Sequence, residues 1–111
     1  MKVSFIIPVY GHLDITRKCI ESLRSTVQNV PYELIIVDDG SEADCRVGLE
    51  KLRNYNTRII HNPENLGYAH SNNVGAKSAT GDILFLLNND LEFQQNWFEP
   101  MLKAFDRFPK L

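Results

Sequence analysis

Long apolar runs and cysteines are scarce in this 111-residue sequence, and each scarcity narrows the classes of protein that fit it. The only cysteines, Cys19 and Cys45, lie in segments predicted to be helical, and we interpret them as buried thiols of a cytosolic protein. No apolar run approaches the roughly 20 residues of a membrane-spanning helix, and no signal-peptide pattern precedes the first predicted strand. We therefore expect a soluble cytoplasmic domain. If it acts at a membrane, we expect it to bind peripherally to the inner face.

An excess of basic residues is also lacking. The formal net charge is -2, so nothing electrostatic argues for a nucleic-acid partner, and an anionic ligand would need a metal ion or backbone donors. The first predicted strand is not followed by G-x-G-x-x-G, which argues against a dinucleotide-binding Rossmann domain. The length leaves room for one domain, residues 1–111, and 43% hydrophobic residues are ordinary for a globular chain.

Strand-like and helix-like segments alternate along the chain. Short apolar runs predict buried strands, and apolar residues three or four apart predict helices. The resulting order, β-α-β-α-β-α-β-α, is typical of an α/β fold with a Rossmann-like parallel sheet and helices on both faces. The predicted strands are Val3–Pro8, Tyr32–Asp38, Thr57–His61 and Ile83–Leu87, and we expect the last of them to be buried on both faces. The first and third predicted helices are Leu13–Val27 and Tyr68–Ala79. The second begins at a capping box formed by Ser41 and Asp44 and ends near Tyr55, and the fourth carries Trp97, Met101, Phe105 and Phe108.

Special and polar residues follow three of the predicted strands. Parallel sheets of this kind bind ligands outside the carboxyl ends of their strands, at the point where the strand order reverses. The three segments are Pro8-Val9-Tyr10-Gly11, Asp38-Asp39-Gly40-Ser41 and Asn88-Asn89-Asp90. We therefore predict that they form one ligand site.

Asp39 and Asp90 are the candidate ligand-binding carboxylates. A carboxylate at a strand end can accept an N–H from a base edge, and Gly40 lets the backbone turn tightly. Magnesium takes one or two oxygen ligands from protein and the rest from phosphate and water, which fits one carboxylate beside two amides. Taken singly, each motif is equally well explained by structure, because acids favour helix N-termini and polar loops cap strands.

Together, the segments resemble the opening of family 2 glycosyltransferases of the GT-A fold. The resemblance is carried, in this order, by residues Val3–Tyr10, Ile35–Ser41 and Gly81–Asp90. These segments are spread over nearly the whole chain. It implies that the chain is the N-terminal nucleotide-binding half of such a domain. It further implies binding of a UDP- or dTDP-sugar donor and inverting transfer to a glycan or lipid-linked acceptor hydroxyl, in polysaccharide or cell-surface glycan synthesis.

The resemblance also assigns roles to individual residues. Asp39 is expected to accept the N3–H of uracil or thymine, and Asp90 to be the metal-binding end of a DxD-like motif that holds Mn²⁺ or Mg²⁺. The catalytic base is unknown and is expected downstream of Leu111, and a half-domain of this kind is expected to self-associate. The implied nucleotide-sugar-binding set is Pro8, Val9, Tyr10, Asp39, Asn65, Gly67, Asn73, Asn88, Asn89 and Asp90.

Three positions depart from the family pattern. Gly11 replaces a frequent Asn, Asn72 stands where many members carry Arg, and Asn88 replaces the first Asp of DxD. The last change implies that Asn88 contacts sugar hydroxyls while Asp90 holds the metal. The paired asparagines resemble the rhamnosyltransferase-like branch.

Other functions remain as alternatives. A non-catalytic nucleotide-binding module would carry the same motifs without a base. A signalling receiver domain is disfavoured, because its acid pair should follow the first strand rather than the second. The three histidines have no mutual metal-ligand spacing, and we interpret His12, His61 and His70 as structural or solvent-facing.

Overall fold

The computed structural model describes residues 1–107 of the chain, and side chains as far as residue 104. The strands are β1 (Val3–Val9), β2 (Tyr32–Asp38), β3 (Thr57–His61) and β4 (Ile83–Leu86). The helices are α1 (Leu13–Thr26), α2 (Ala43–Glu50), α3 (Tyr68–Ser78) and α4 (Phe98–Arg107).

All strand pairs are parallel, in the order β3-β2-β1-β4. Strands β2 and β3 are therefore added on one side of β1, and β4 pairs with β1 on its other side. The predicted α/β architecture is confirmed. The order reverses between β1 and β4, so their carboxyl ends flank the crevice in which such sheets bind ligands.

The larger core lies between one face of the sheet and helices α1, α2 and α4. Alternate residues of β1 face it, and Phe5 is fully buried at its centre. The Phe5 ring lies 5.4 Å from that of Phe85 and 5.8 Å from that of Phe98, so three chain segments meet in one aromatic cluster. Such rings bury large apolar areas and stabilise the sheet that carries the candidate site.

Helix α3 covers the opposite face by close approach. A Cβ at Gly75 would lie 2.4 Å from Ile6 Cγ2 and 3.2 Å from Val37 Cγ2, so only glycine fits where the helix crosses β1 and β2. The small core beneath it comprises Ile6, Ile35 and Val37. This contact sets how closely α3 lies against β1 and β2.

Several predicted details are wrong. Strand β4 is not buried on both faces: Leu84 and Leu86 are 44% and 55% exposed, because α3 packs on β1 and β2 and leaves the edge strand uncovered. Helix α2 begins at Ala43 after Glu42 without a side-chain cap, and it ends at Glu50 rather than near Tyr55. The predicted capping box does not form.

Of the remaining predictions, some are confirmed and others are not. Cys19 is buried as predicted, whereas Cys45 is only partly buried. Trp97 is partly buried and packs against the core, but it precedes α4 rather than lying in it. The side chains of Phe105 and Phe108 lie outside the described part of the chain. Across residues 1–107, no helix combines the length and the apolar character needed to cross a membrane.

Candidate functional site

A cavity of about 340 Å³ opens at the carboxyl ends of β1, β2 and β4. Its position at the reversal of strand order is the one expected for this fold. Nine of the ten residues predicted to bind a nucleotide sugar line it, drawn from all three predicted segments and from the loop before α3. They are Pro8, Val9, Tyr10, Asp39, Asn65, Gly67, Asn88, Asn89 and Asp90.

Asn73 is the predicted residue that the structure does not bring to the cavity. It is exposed on α3, whereas the buried positions of that helix are Ser71, Asn72 and Gly75. Successive helical residues are rotated by about 100°, so the close packing at Gly75 turns Asn72 inward and Asn73 outward. The cavity therefore gives no support to the prediction that Asn73 binds the nucleotide sugar.

Two cavity residues, His12 and Tyr68, were not in the predicted set. His12 has a left-handed backbone (φ 55°), as does Gly11 before it (φ 69°), and this turn carries the imidazole to the cavity rim. The Tyr68 hydroxyl donates to Asn88 Oδ1 at 2.8 Å. An aromatic residue directly after Gly67 was the available signal for Tyr68; no sequence signal marked the unusual turn at His12.

Asp39 is buried and held by three donors from the segment that follows β3. Its Oδ1 accepts from the Asn62 side chain at 2.9 Å and from the Leu66 N–H at 2.8 Å, and its Oδ2 accepts from the Gly67 N–H at 2.9 Å. Burial alone raises the pKa of Asp39, but these hydrogen bonds outweigh it and the pKa lies below its ordinary value. Asp39 is therefore an ionised acceptor.

Gly40 makes this arrangement possible. It has φ 80°, and a Cβ there would lie 2.5 Å from the carbonyl carbon of Glu64 and 2.6 Å from the backbone nitrogen of Asn65. The loop can pass directly over the end of β2 only because no side chain is present. This close approach brings the Leu66 and Gly67 N–H groups onto Asp39.

Asp38 is turned away from the cavity, although it is the neighbour of Asp39. It is fully buried; its Oδ1 accepts from the Ser41 N–H at 3.0 Å and its Oδ2 lies 2.7 Å from His61 Nδ1. Ser41 in turn accepts the Gly11 N–H on its hydroxyl at 2.9 Å. Consecutive strand residues point to opposite faces, so the acidic pair divides into one cavity residue and one residue of the supporting structure.

The segment after β4 presents one exposed carboxylate beside two amides. Asn89 donates from Nδ2 to Thr16 Oγ1 at 3.0 Å, which ties the segment to α1, and Asn88 accepts from Tyr68. Asp90 is exposed at the cavity rim. Among the side chains that the structure describes, those of residues 1–104, no group of three or more His, Cys, Asp or Glu could hold a metal ion. A cation here would need further ligands from phosphate and water, as magnesium sites use.

Comparison with known proteins gives a consistent result. Residues 4–111 match the sequence profile described as Glycosyl transferase family 2. The glucosyl-dolichyl phosphate glucuronosyltransferase of Haloferax volcanii is 28% identical, and the match covers 98% of this chain and 36% of that protein. An uncharacterized glycosyltransferase of Haemophilus influenzae is 34% identical, with the same two coverages.

The fold has a solved counterpart. The crystal structure of S. aureus TarS 1–349 matches with a TM-score of 0.82 and 25% identity, covering 96% of this chain and 33% of that one. The chain thus spans about a third of the length of the proteins that it matches.

Proposed function

The chain belongs to glycosyl transferase family 2, and from this premise we propose that its cavity binds a UDP- or dTDP-sugar together with a divalent cation. The observation that carries the proposal is the meeting of Asp39 and Asp90 on the wall of one cavity of about 340 Å³. That volume lies within the range of about 300–1,000 Å³ typical of small-molecule sites.

Asp39 is proposed to read the base. An ionised carboxylate has about four lone-pair sites, and the three donors from Asn62, Leu66 and Gly67 leave capacity on Oδ2. Uracil and thymine carry an N3–H that can donate to it. The N3 of cytosine carries no proton and would place a lone pair against the carboxylate, so the same geometry selects against CDP.

Asp90 is proposed to supply the protein ligand to Mn²⁺ or Mg²⁺. The fit is chemical: a single exposed carboxylate beside two amides suits a hard cation that is shared with a diphosphate. When bound, such a cation supplies Lewis-acid stabilisation of the departing diphosphate. Asn88 has its oxygen engaged by Tyr68, which leaves its amide N–H groups as the part suited to a sugar hydroxyl.

Transfer of the sugar to a glycan or lipid-linked hydroxyl requires a base on the acceptor side. Within the described part of the chain, Asp39 and Asp90 are the carboxylates that line the cavity, and both have other proposed roles. This favours the second candidate function, donor binding without transfer, for residues 1–104, whose side chains the structure describes. A base for transfer would come from outside them, in keeping with a chain that spans a third of its relatives.

Titration calorimetry tests the proposal directly. The protein is titrated with UDP, dTDP, CDP and GDP, each with Mn²⁺ and with EDTA. We expect UDP and dTDP to bind at least about tenfold more tightly than CDP. This ratio of affinities corresponds to the loss of one hydrogen bond of about 1.4 kcal/mol. We also expect EDTA to weaken the binding of UDP. Equal affinities for UDP and CDP would refute the role of Asp39.

A further inference from the structure

His61 lies at the end of β3 between two carboxylates, outside the candidate cavity. Its Nδ1 is 2.7 Å from Asp38 Oδ2, and its Nε2 is 3.1 Å from Glu50 Oε2. Ionised carboxylates only accept hydrogen bonds, so both contacts are hydrogen bonds only when both ring nitrogens carry a proton. The geometry is that of an imidazolium ion clamped between β2 and α2.

Two carboxylates contact the ring, and each of them also pairs with an arginine of the α2 region. On the β2 side, Asp38 is fully buried, with Arg46 Nε of α2 at 3.9 Å. On the α2 side, Glu50 pairs with Arg53 at 2.9 Å. Hydrogen bonds from Arg53 and then from His61 lower the pKa of Glu50, so this carboxylate is ionised.

A chain of hydrogen bonds runs from Asp38 to the cavity wall. The Ser41 N–H donates to Asp38 Oδ1 at 3.0 Å, and the Gly11 N–H donates to the Ser41 hydroxyl at 2.9 Å. Gly11 and His12 are consecutive left-handed residues, a conformation that a side-chain-bearing residue adopts only when its surroundings impose it. Tyr10 and His12, on either side of Gly11, line the cavity.

We propose that His61 is a positioning residue for nucleotide binding: it orients Asp38, and through Ser41 it holds the turn that places Tyr10 and His12 at the cavity. The inference about binding rests on the proposed function; the coupling between His61 and the turn does not. The neutral ring can satisfy only one carboxylate and loses the charge that faces buried Asp38. The turn is therefore held more firmly by the protonated ring.

The coupling is tested without ligand, by following backbone amide resonances from about pH 5 to about pH 8, where imidazole changes charge. The measurement uses a His12→Gln background, because a second imidazole directly beside Gly11 would affect its amide resonance on its own. We expect the Ser41 and Gly11 amides to shift with the same midpoint as the His61 ring, and not to shift when His61→Asn is added. Amide resonances that stay fixed while the ring resonances of His61 move across this range would overturn the proposal.

The effect on binding is measured with uridine, which has no phosphate that titrates in this range. His61→Ala is expected to weaken uridine binding about tenfold, the loss expected when a buried carboxylate loses a charge-assisted hydrogen bond. His61→Asn, which retains one N–H near Asp38, should restore most of the affinity. Equal uridine affinities in wild type and His61→Ala would overturn the positioning role. If wild type binds no nucleoside, the proposed function fails, and the amide titration still decides the coupling.

Discussion

Both ends of the sheet bury a carboxylate, and the two differ in what lies beyond it. At the amino end, Glu33 accepts from the Ser4 hydroxyl at 2.6 Å, from the Thr80 N–H at 2.6 Å and from Arg58 at 2.8 Å. These partners come from β1, β3 and the segment before β4, and they enclose it. At the carboxyl end, Asp39 is held by a comparable number of donors but also lines a cavity.

Ionisation does not distinguish these two groups. Burial on its own raises the pKa of each, and hydrogen bonds reverse the effect, lowering the pKa of Glu33 to about 2 and that of Asp39 below its ordinary value. A depressed pKa is often used to find functional carboxylates. Here access to a cavity is the feature that separates a candidate ligand-binding group from a structural one.

The first prediction breaks the amino-end cluster. Glu33→Gln should lower the free energy of unfolding by about 3 kcal/mol, because an amide can accept at one oxygen only and leaves Arg58 and the Thr80 donors poorly paired. Nucleotide affinity should not change. Urea unfolding and calorimetry measure the two quantities. Glu21→Gln, at an exposed position of α1, is the matched control and should stay within about 0.5 kcal/mol.

The pH dependence of this effect has a definite sign. The folded pKa of Glu33 lies below its ordinary value of 4.5, so its contribution to stability is complete above that pH and is lost as pH falls toward about 2. Wild type should lose this part of its stability across that window, and Glu33→Gln should not. Parallel acid-unfolding curves for the two proteins would show that Glu33 is not the group responsible.

The second prediction breaks the carboxyl-end cluster. Asp39→Ala removes the acceptor that orders the Leu66 and Gly67 N–H groups, so stability should fall by about 1–3 kcal/mol. Unlike the change at Glu33, it should also weaken uridine binding about tenfold or more. The ratio of uridine to cytidine affinity should approach one, which separates loss of base selection from general damage to the loop. Asp44→Ala, an exposed acid of α2, is the control. An unchanged ratio would contradict the role in base selection.

The sequence was sufficient for the strands and for most of the cavity, because the carboxyl ends of parallel strands meet at one edge whatever the details of packing. It was insufficient where tertiary contacts decide. Gly75 fixes the rotation of α3 and so excludes Asn73 from the cavity. The hydroxyl of Ser41, predicted to cap α2, instead accepts the Gly11 N–H. His61 gave no spacing signal, since its partners Asp38 and Glu50 come from other elements.

The smallest expected effect concerns Asp90, which lines the same cavity as Asp39 but is proposed to bind the metal rather than the base. Asp90 is exposed, so Asp90→Ala should change stability by no more than about 0.5 kcal/mol. Uridine affinity should also stay unchanged, because the base is proposed to bind at Asp39. Only the gain in UDP affinity on adding Mn²⁺ should disappear, a change of about tenfold, or about 1.4 kcal/mol.

Asn88→Asp supplies a second carboxylate to the same segment and should act in the opposite direction by strengthening the response to Mn²⁺, since a hard cation prefers carboxylate to amide oxygen. Calorimetry of both variants with uridine and UDP, with Mn²⁺ or EDTA, measures all of these quantities. A UDP affinity in wild type that EDTA leaves unaltered would remove the metal from the proposal, while the role of Asp39 would still stand on its own test.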